Sequence, residues 1–103
     1  MRFTWDPRKS EETLQLRRFD FAFAARIFEQ FVVEYEDRRR DYGELRVVAV
    51  GIVDDIGLTI VYTERENDFG EAERRIISAR RSNKKERRAY ASRKAEQTYS
   101  GTS

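Results

Sequence analysis

The chain has 103 residues, of which 39% are hydrophobic and 39% charged, with a formal net charge of +2 and neither histidine nor cysteine. That length makes one small domain around a single core. The absent residue types exclude disulfides, thiol chemistry, Cys-based zinc sites and histidine-pair nuclease catalysis, leaving arginine, lysine, carboxylates, serine and tyrosine to carry any reaction.

The N-terminal stretch MRFTWDPRKSEETL has no apolar signal-peptide region, and no run approaches the length of a membrane span. Both point to a soluble, cytoplasmic protein with no membrane partner. Met1, Phe3 and Trp5 alternate with Arg2 and Thr4, the period-2 pattern of a short half-buried strand. Asp6-Pro7 then reads as an N-cap followed by proline at the first helical position, opening a helix to about Arg17 with Leu14 and Leu16 as its thin apolar face. Asp20 caps a second predicted helix, FAFAARIFEQF, whose Phe21, Ala24, Ala25 and Phe28 fall at i, i+3, i+4 and i+7. Phe19, just before that cap, is placed to staple onto Phe23 or Ala24.

Val32, Val33 and Tyr35 predict a strand that ends in the charged EDRRRDYGE loop. The β-branched run Leu45 to Val53, the DDIG turn and the run Leu58 to Glu66 predict a hairpin. After the NDFGEA turn, Arg74 to Arg80 form a further strand, and Ser82-Asn83 offers a cap for a helix from Lys84 to about Ala95. Residues 96–103 read as a polar, disordered tail. The expected architecture is α+β: an antiparallel sheet of about four strands, two N-terminal helices and a basic C-terminal helix, with helices covering one sheet face.

Charge is unevenly placed along this order. From Glu34 to Glu71 there are eleven acids and five bases, whereas Arg80 to Lys94 hold eight bases and the lone acid Glu86. Such asymmetry suits one surface for a polyanion, although a solvated helix face gives the same pattern. Strict alternation places Arg74, Ile76, Ser78 and Arg80 on one face of the last strand, with Arg75, Ile77 and Ala79 on the other. In the following helix Glu86 and Tyr90, four residues apart, share a face; Tyr90 is either a chemical group or a packing residue.

Cutting RNA by attack of a 2′-hydroxyl on the adjacent phosphate needs a base, an acid and cations around the phosphorane. Arginine forks match phosphate oxygens, and a glutamate or tyrosine amid arginines has a shifted pKa for proton transfer. Asp54-Asp55 suits turn chemistry better than metal binding. Trp5 either stacks on a base or anchors the terminus. Arg38-Arg39-Arg40 is either a cationic rim or a solvated loop.

Five stretches carry a resemblance: F-x-W-D-P-x-K at Phe3 to Lys9, D-F-x-x-A-x-x-I-F at Asp20 to Phe28, Y-G-E-x-R at Tyr42 to Arg46, Y-T-E-R at Tyr62 to Arg65, and R-I-I-S-A-R with K-E-R-R-x-Y between Arg75 and Tyr90. In this order, over roughly residues 2 to 93, they resemble the BrnT toxins of bacterial type II toxin–antitoxin systems. The resemblance implies a RelE-like fold and a ribonuclease that arrests growth by cutting RNA; the residue chemistry adds the expectation of an endoribonuclease that acts without metal or other cofactor. The resemblance further implies neutralisation by a BrnA-like antitoxin carrying a ribbon-helix-helix domain. It also implies a toxin–antitoxin heterotetramer that represses its own operon, touching DNA only through the antitoxin.

Carried over by position, the resemblance points to Arg46, Arg65, Arg75, Arg80, Glu86, Arg87 and Tyr90, with Trp5, Asp6 and Lys9 from the first motif. Together with the residue chemistry, this makes Arg65, Arg75, Arg80, Glu86 and Tyr90 the catalytic candidates, with Glu86 or Tyr90 handling protons. Lys9, Arg46, Arg81, Lys84, Lys85, Arg87 and Arg88 are the RNA-binding candidates, and no metal ligand is expected. The family's N-x-x-K-H is missing near the end of the first helix, where Thr13 to Arg18 read TLQLRR. The alternative from another class is a catalytically silent module that binds RNA or a partner protein. A DNA-binding domain in its own right fits less well, since the basic helix has no helix-turn-helix partner.

Overall fold

The computed structural model describes residues 1–100, with the side chains of residues 98–100 left aside. The elements are β1 (Arg2–Trp5), α1 (Pro7–Arg17), α2 (Phe21–Ala24) with a 3₁₀ segment (Ala25–Glu29), β2 (Val33–Glu36), β3 (Val47–Val53), β4 (Ile56–Glu66), β5 (Ala72–Arg81) and α3 (Lys84–Ser100). The strands form one five-stranded sheet in the order β1-β5-β4-β3-β2. The β2, β3, β4 and β5 pairings are antiparallel, as expected. β1 adds a fifth strand parallel to β5, pairing Arg2 with Glu73 through Trp5 with Ile76, so the sheet is mixed. A parallel neighbour needs a long crossover, and here α1 onward supplies it.

Helices pack on both sheet faces, whereas one covered face was expected. The first face carries the main core: Phe21, Ala24 and Ile27 pack against Ala49, Leu58, Ile60, Tyr62 and Ile76. Phe19 stacks on Phe23, the staple expected from the sequence. The predicted second helix is one α-turn followed by a 3₁₀ segment. Ile27 in that segment sits on Gly51, where an added Cβ would lie 2.7 Å from the Ile27 Cβ, an approach only glycine permits. Leu14 and Leu16 do not seal α1, for Leu16 is 80% exposed. The buried Ser10 holds the helix instead, its Oγ accepting from the Phe21 N–H at 3.0 Å.

The second face carries a smaller core of Val48, Val50, Val61 and Tyr90, flanked by Phe31, Val33, Ile52 and Ile77. α3 covers only part of this face, and it runs to Ser100 rather than ending near Ala95. The remaining residues of the expected tail, 101–103, lie outside the described residues. The β3–β4 turn is tighter than DDIG implied: Asp54 and Asp55 alone span it, with φ of 48° and 66°, the primed geometry favoured in two-residue hairpins.

The alternation expected along β5 is broken. Register with β4 slips between Val61 and Tyr62: Val61 faces Ser78, yet Tyr62 faces Ile76, so Ile77 is an extra residue, a β-bulge. Arg74 and Ile76 therefore share the first face with Ala79. Arg75, paired with Thr63, shares the second face with Ser78 and Arg80.

Gly51→Ala tests the Ile27 approach. Its Cβ must displace β-branched side chains in a packed layer, so the variant should lose about 1–3 kcal/mol of stability in urea unfolding.

Candidate active site

Side chains on the second sheet face follow from the register. One row across the sheet is Val33, Val50, Thr59 and Arg80; the next is Tyr35, Val48, Val61 and Ser78. Further along the strands, Arg75 pairs with Thr63, and Arg65 pairs with Glu73. Arg46, the residue before β3, joins this surface through Tyr42: its guanidinium lies over the Tyr42 ring, and the Tyr42 hydroxyl donates to Asp37. Four of the predicted arginines, Arg46, Arg65, Arg75 and Arg80, thus stand on one surface. From Arg75 to Arg80 the strand spans roughly 15 Å, the length of several backbone phosphates along one strand.

Arg80 is set by the start of α3. Its Nη1 and Nη2 each donate to a Glu86 carboxylate oxygen at 2.7 Å, a two-pronged pair. Glu86 simultaneously accepts from the Asn83 N–H at 2.8 Å, and the Asn83 side-chain oxygen accepts from the Glu86 N–H at 2.8 Å. That reciprocal arrangement is a capping box, the signal latent in S-N-K-K-E. Arg80 holds the Glu86 carboxyl below the usual carboxylate range, helped by the Asn83 N–H, while burial works against this. The Arg80 guanidinium is raised in turn, chiefly by Glu86.

Beside them is a cleft of about 440 Å³, lined by Tyr35, Asp37, Arg39, Ser78 and Arg80, with Arg17 entering from the end of α1. Asp37 is buried at the end of β2, where Arg39 donates to it from Nε at 2.9 Å and Nη2 at 2.8 Å. Tyr42 adds a third side-chain donor at 3.1 Å. The Arg39 contacts, with Tyr42 behind them, hold Asp37 well below the usual carboxylate range despite burial. The 38–40 arginines therefore divide: Arg38 and Arg39 line the cleft, paired with Glu36 and Asp37, while Arg40 lies over the Tyr42 ring.

The other predicted residues separate. Arg65 pairs with Glu73 at 3.4 Å, and Glu73 also accepts from the Thr4 hydroxyl at 3.2 Å. Arg46 lies 4.0 Å over the Tyr42 ring and contacts Glu44. Arg75 has no ion pair among the described residues. Lys84, Lys85, Arg87 and Arg88 are exposed on α3, with Arg87 donating to the Ser82 carbonyl at 2.6 Å. Arg81 points to the opposite face from Arg80, into a recess with Leu14, Phe19 and Phe23. Lys9 is exposed on α1, outside the arginine face.

Tyr90 is 4% exposed within the second core, against Phe31, and its hydroxyl has no hydrogen-bond partner among the described residues. Of its two readings, packing is the one its surroundings match. Glu86 is likewise a poor proton acceptor, since both its oxygens are engaged. Trp5 packs edge-on to Phe21, the anchoring role, and Asp6 caps α1 through the Arg8 N–H.

Residues 5–86 match the protein family described as ribonuclease toxin, BrnT, of type II toxin–antitoxin system. The chain belongs to the BrnT family. No individual curated protein matches it. As a member of this ribonuclease toxin family, it has an antitoxin as partner and RNA as target. The matched span ends at Glu86, so it takes in the arginine face and the Arg80 clamp but stops short of Tyr90.

Sequence reasoning passed over Tyr35, Asp37 and Arg17 as site residues. Tyr35 carried a signal, sharing the period-2 face of Val33, but only the sheet register puts it in one row with Ser78, with two strands between them.

Both lowered carboxylates stabilise the fold when ionised, so their contribution is complete above the unfolded-state value near 4. It is lost as pH falls further, through the lower folded-state values. Urea midpoints should therefore drop below about pH 4, and Glu86→Gln should be less stable at pH 7 with a shallower acid limb.

Proposed function

We propose that the chain is a metal-independent endoribonuclease of the BrnT kind, cutting RNA across the arginine face of the sheet. The observation that carries this reading is the convergence of Arg46, Arg65, Arg75 and Arg80 on one face, with Arg80 held in a fixed orientation by Glu86. Arginine stays charged at any working pH and presents planar donors to phosphate oxygens. Arg80 and Arg75 neutralise the scissile phosphate and its neighbour; Arg65 and Arg46 guide the strand onto the face. The exposed bases of α3 extend the field that draws RNA in.

The carboxylates nearest this surface are each committed to an arginine: Glu36 to Arg38, Asp37 to Arg39, Glu44 to Arg46, Glu73 to Arg65 and Glu86 to Arg80. Positive groups are thus left as the source of charge stabilisation, which favours chemistry without a metal ion. The partner in this reading is a BrnA-like antitoxin with a ribbon-helix-helix domain. The two assemble as a heterotetramer that represses their operon, with DNA touched only by the antitoxin, in the cytoplasm. Type II membership supports the antitoxin, and the sequence resemblance supports its kind. No described helix is long and apolar enough to cross a membrane.

One observation favours a second reading. Both residues expected to move protons are otherwise occupied, Glu86 in its clamp and Tyr90 in a core, as befits a catalytically silent RNA-binding module. Purified protein incubated with RNA in excess EDTA separates the two. The enzyme reading expects cleavage that survives EDTA, reduced about 10²–10³-fold by Arg75→Ala or Arg80→Ala, the cost of losing one charge-stabilising donor. Retained RNA with no cleavage products supports the silent module, and activity abolished by EDTA overturns the metal-free mechanism.

A further inference from the structure

Tyr35 is 49% exposed on the second sheet face, unlike Tyr62 and Tyr90, which are buried. It closes the end of the row Tyr35, Val48, Val61, Ser78, with two valines as an apolar floor between. Adjacent strands lie about 4.8 Å apart, so β2 and β5 stand roughly 14 Å from each other across that floor. Arg80 reaches in from one wall and Tyr35 from the other, and Arg39 overhangs the β2 side. Arg80 spends Nη1 and Nη2 on Glu86, while its Nε makes no hydrogen bond among the described residues and remains for an anion. A phosphodiester bound by Arg80 in this cleft therefore lies between a guanidinium and a phenol.

We propose that the Tyr35 hydroxyl donates the proton required by the departing 5′-oxygen when RNA is cut here, a role that rests on the ribonuclease reading above. The substrate's 2′-oxygen forms a bond to phosphorus and loses its proton to water. The phosphorus–O5′ bond breaks, and the phenol proton passes to O5′. The phenolate left on Tyr35 regains a proton from solvent. The products are a 2′,3′-cyclic phosphate and a 5′-hydroxyl, with no oxidant, reductant or other reactant consumed.

The charges facing Tyr35 suit a donor. Partial burial and the Glu86 carboxylate raise its pKa, Asp37 adds to this, and Arg80 and Arg39 oppose it. A phenol in that balance keeps its proton at neutral pH and remains available as an acid. Asp37 and Glu86, both held ionised by arginines, have no proton to give there.

The test uses the full chain, wild type and Tyr35→Phe, on an RNA oligonucleotide and on the same oligonucleotide with sulfur replacing the bridging 5′-oxygen at the cut site. A thiol, with a pKa near 8.5, leaves without prior protonation. Tyr35→Phe should slow cleavage of the ordinary RNA about 10²–10⁴-fold, the range for one general acid. It should cut the sulfur substrate within a few-fold of wild type and bind RNA unchanged, because phenylalanine keeps the ring. Equal slowing on both substrates, or no slowing on either, overturns the role of Tyr35 while leaving the ribonuclease reading intact. A folded wild type that cuts neither substrate overturns that reading itself, and the proton donor with it.

Discussion

The Arg80–Glu86 pair is the interaction on which the arrangement turns. Glu86 does two tasks with one carboxylate: it closes the capping box that starts α3, and it grips the guanidinium at the end of β5. Helix and strand are thereby fixed to each other at the rim of the cleft. The pair is neither deeply buried nor freely solvated, with Glu86 nearly enclosed and Arg80 42% exposed in its side chain. Its stabilising worth is therefore discounted by solvent screening. Its geometric worth is greater, because an arginine already held in place loses less freedom when it meets an anion.

A face bearing several arginines repels itself unless counter-charges are interleaved. Here each local carboxylate neutralises one arginine without capping the whole surface. Arg39 and Arg65 stand over buried acids, Asp37 and Glu73, whose side chains are 2% and 6% exposed. The acids lie beneath and the guanidiniums above, so the outer layer stays cationic although the chain's net charge is only +2. The bulge at Ile77 completes that layer. Without the extra residue, Arg75 and Arg80 would occupy opposite faces, and the same sequence would present two weak sites.

Much of this is legible in the amino-acid sequence. The Asp6-Pro7 start, the Asp20 cap with its Phe19 staple and the β3–β4 hairpin follow from local rules, because each is decided by neighbours in sequence. Family motifs marked Arg46, Arg65, Arg75 and Arg80. What failed to read were non-local facts: the parallel docking of β1, the covering of both faces, and the bulge that reverses β5. Tyr90 looked chemical because Glu86 lies one helical turn away, yet that turn points it into a core. Tyr35 gave no local sign of a site because the residues it shares the cleft with, Ser78 and Arg80, lie some forty residues further along the chain.

The β1–β5 pairing has a consequence for how such a chain comes into being. Its partners, Arg2 with Glu73 onward, close a loop of most of the chain, the entropically costliest contact in the sheet, whereas the β3–β4 hairpin closes over two residues. A chain emerging from synthesis can thus form its central hairpin early. It cannot assemble the arginine face until β5 and the Glu86 turn have been made. A nascent fragment that stops before β5 and the Glu86 turn therefore carries the hairpin but not the arginine surface.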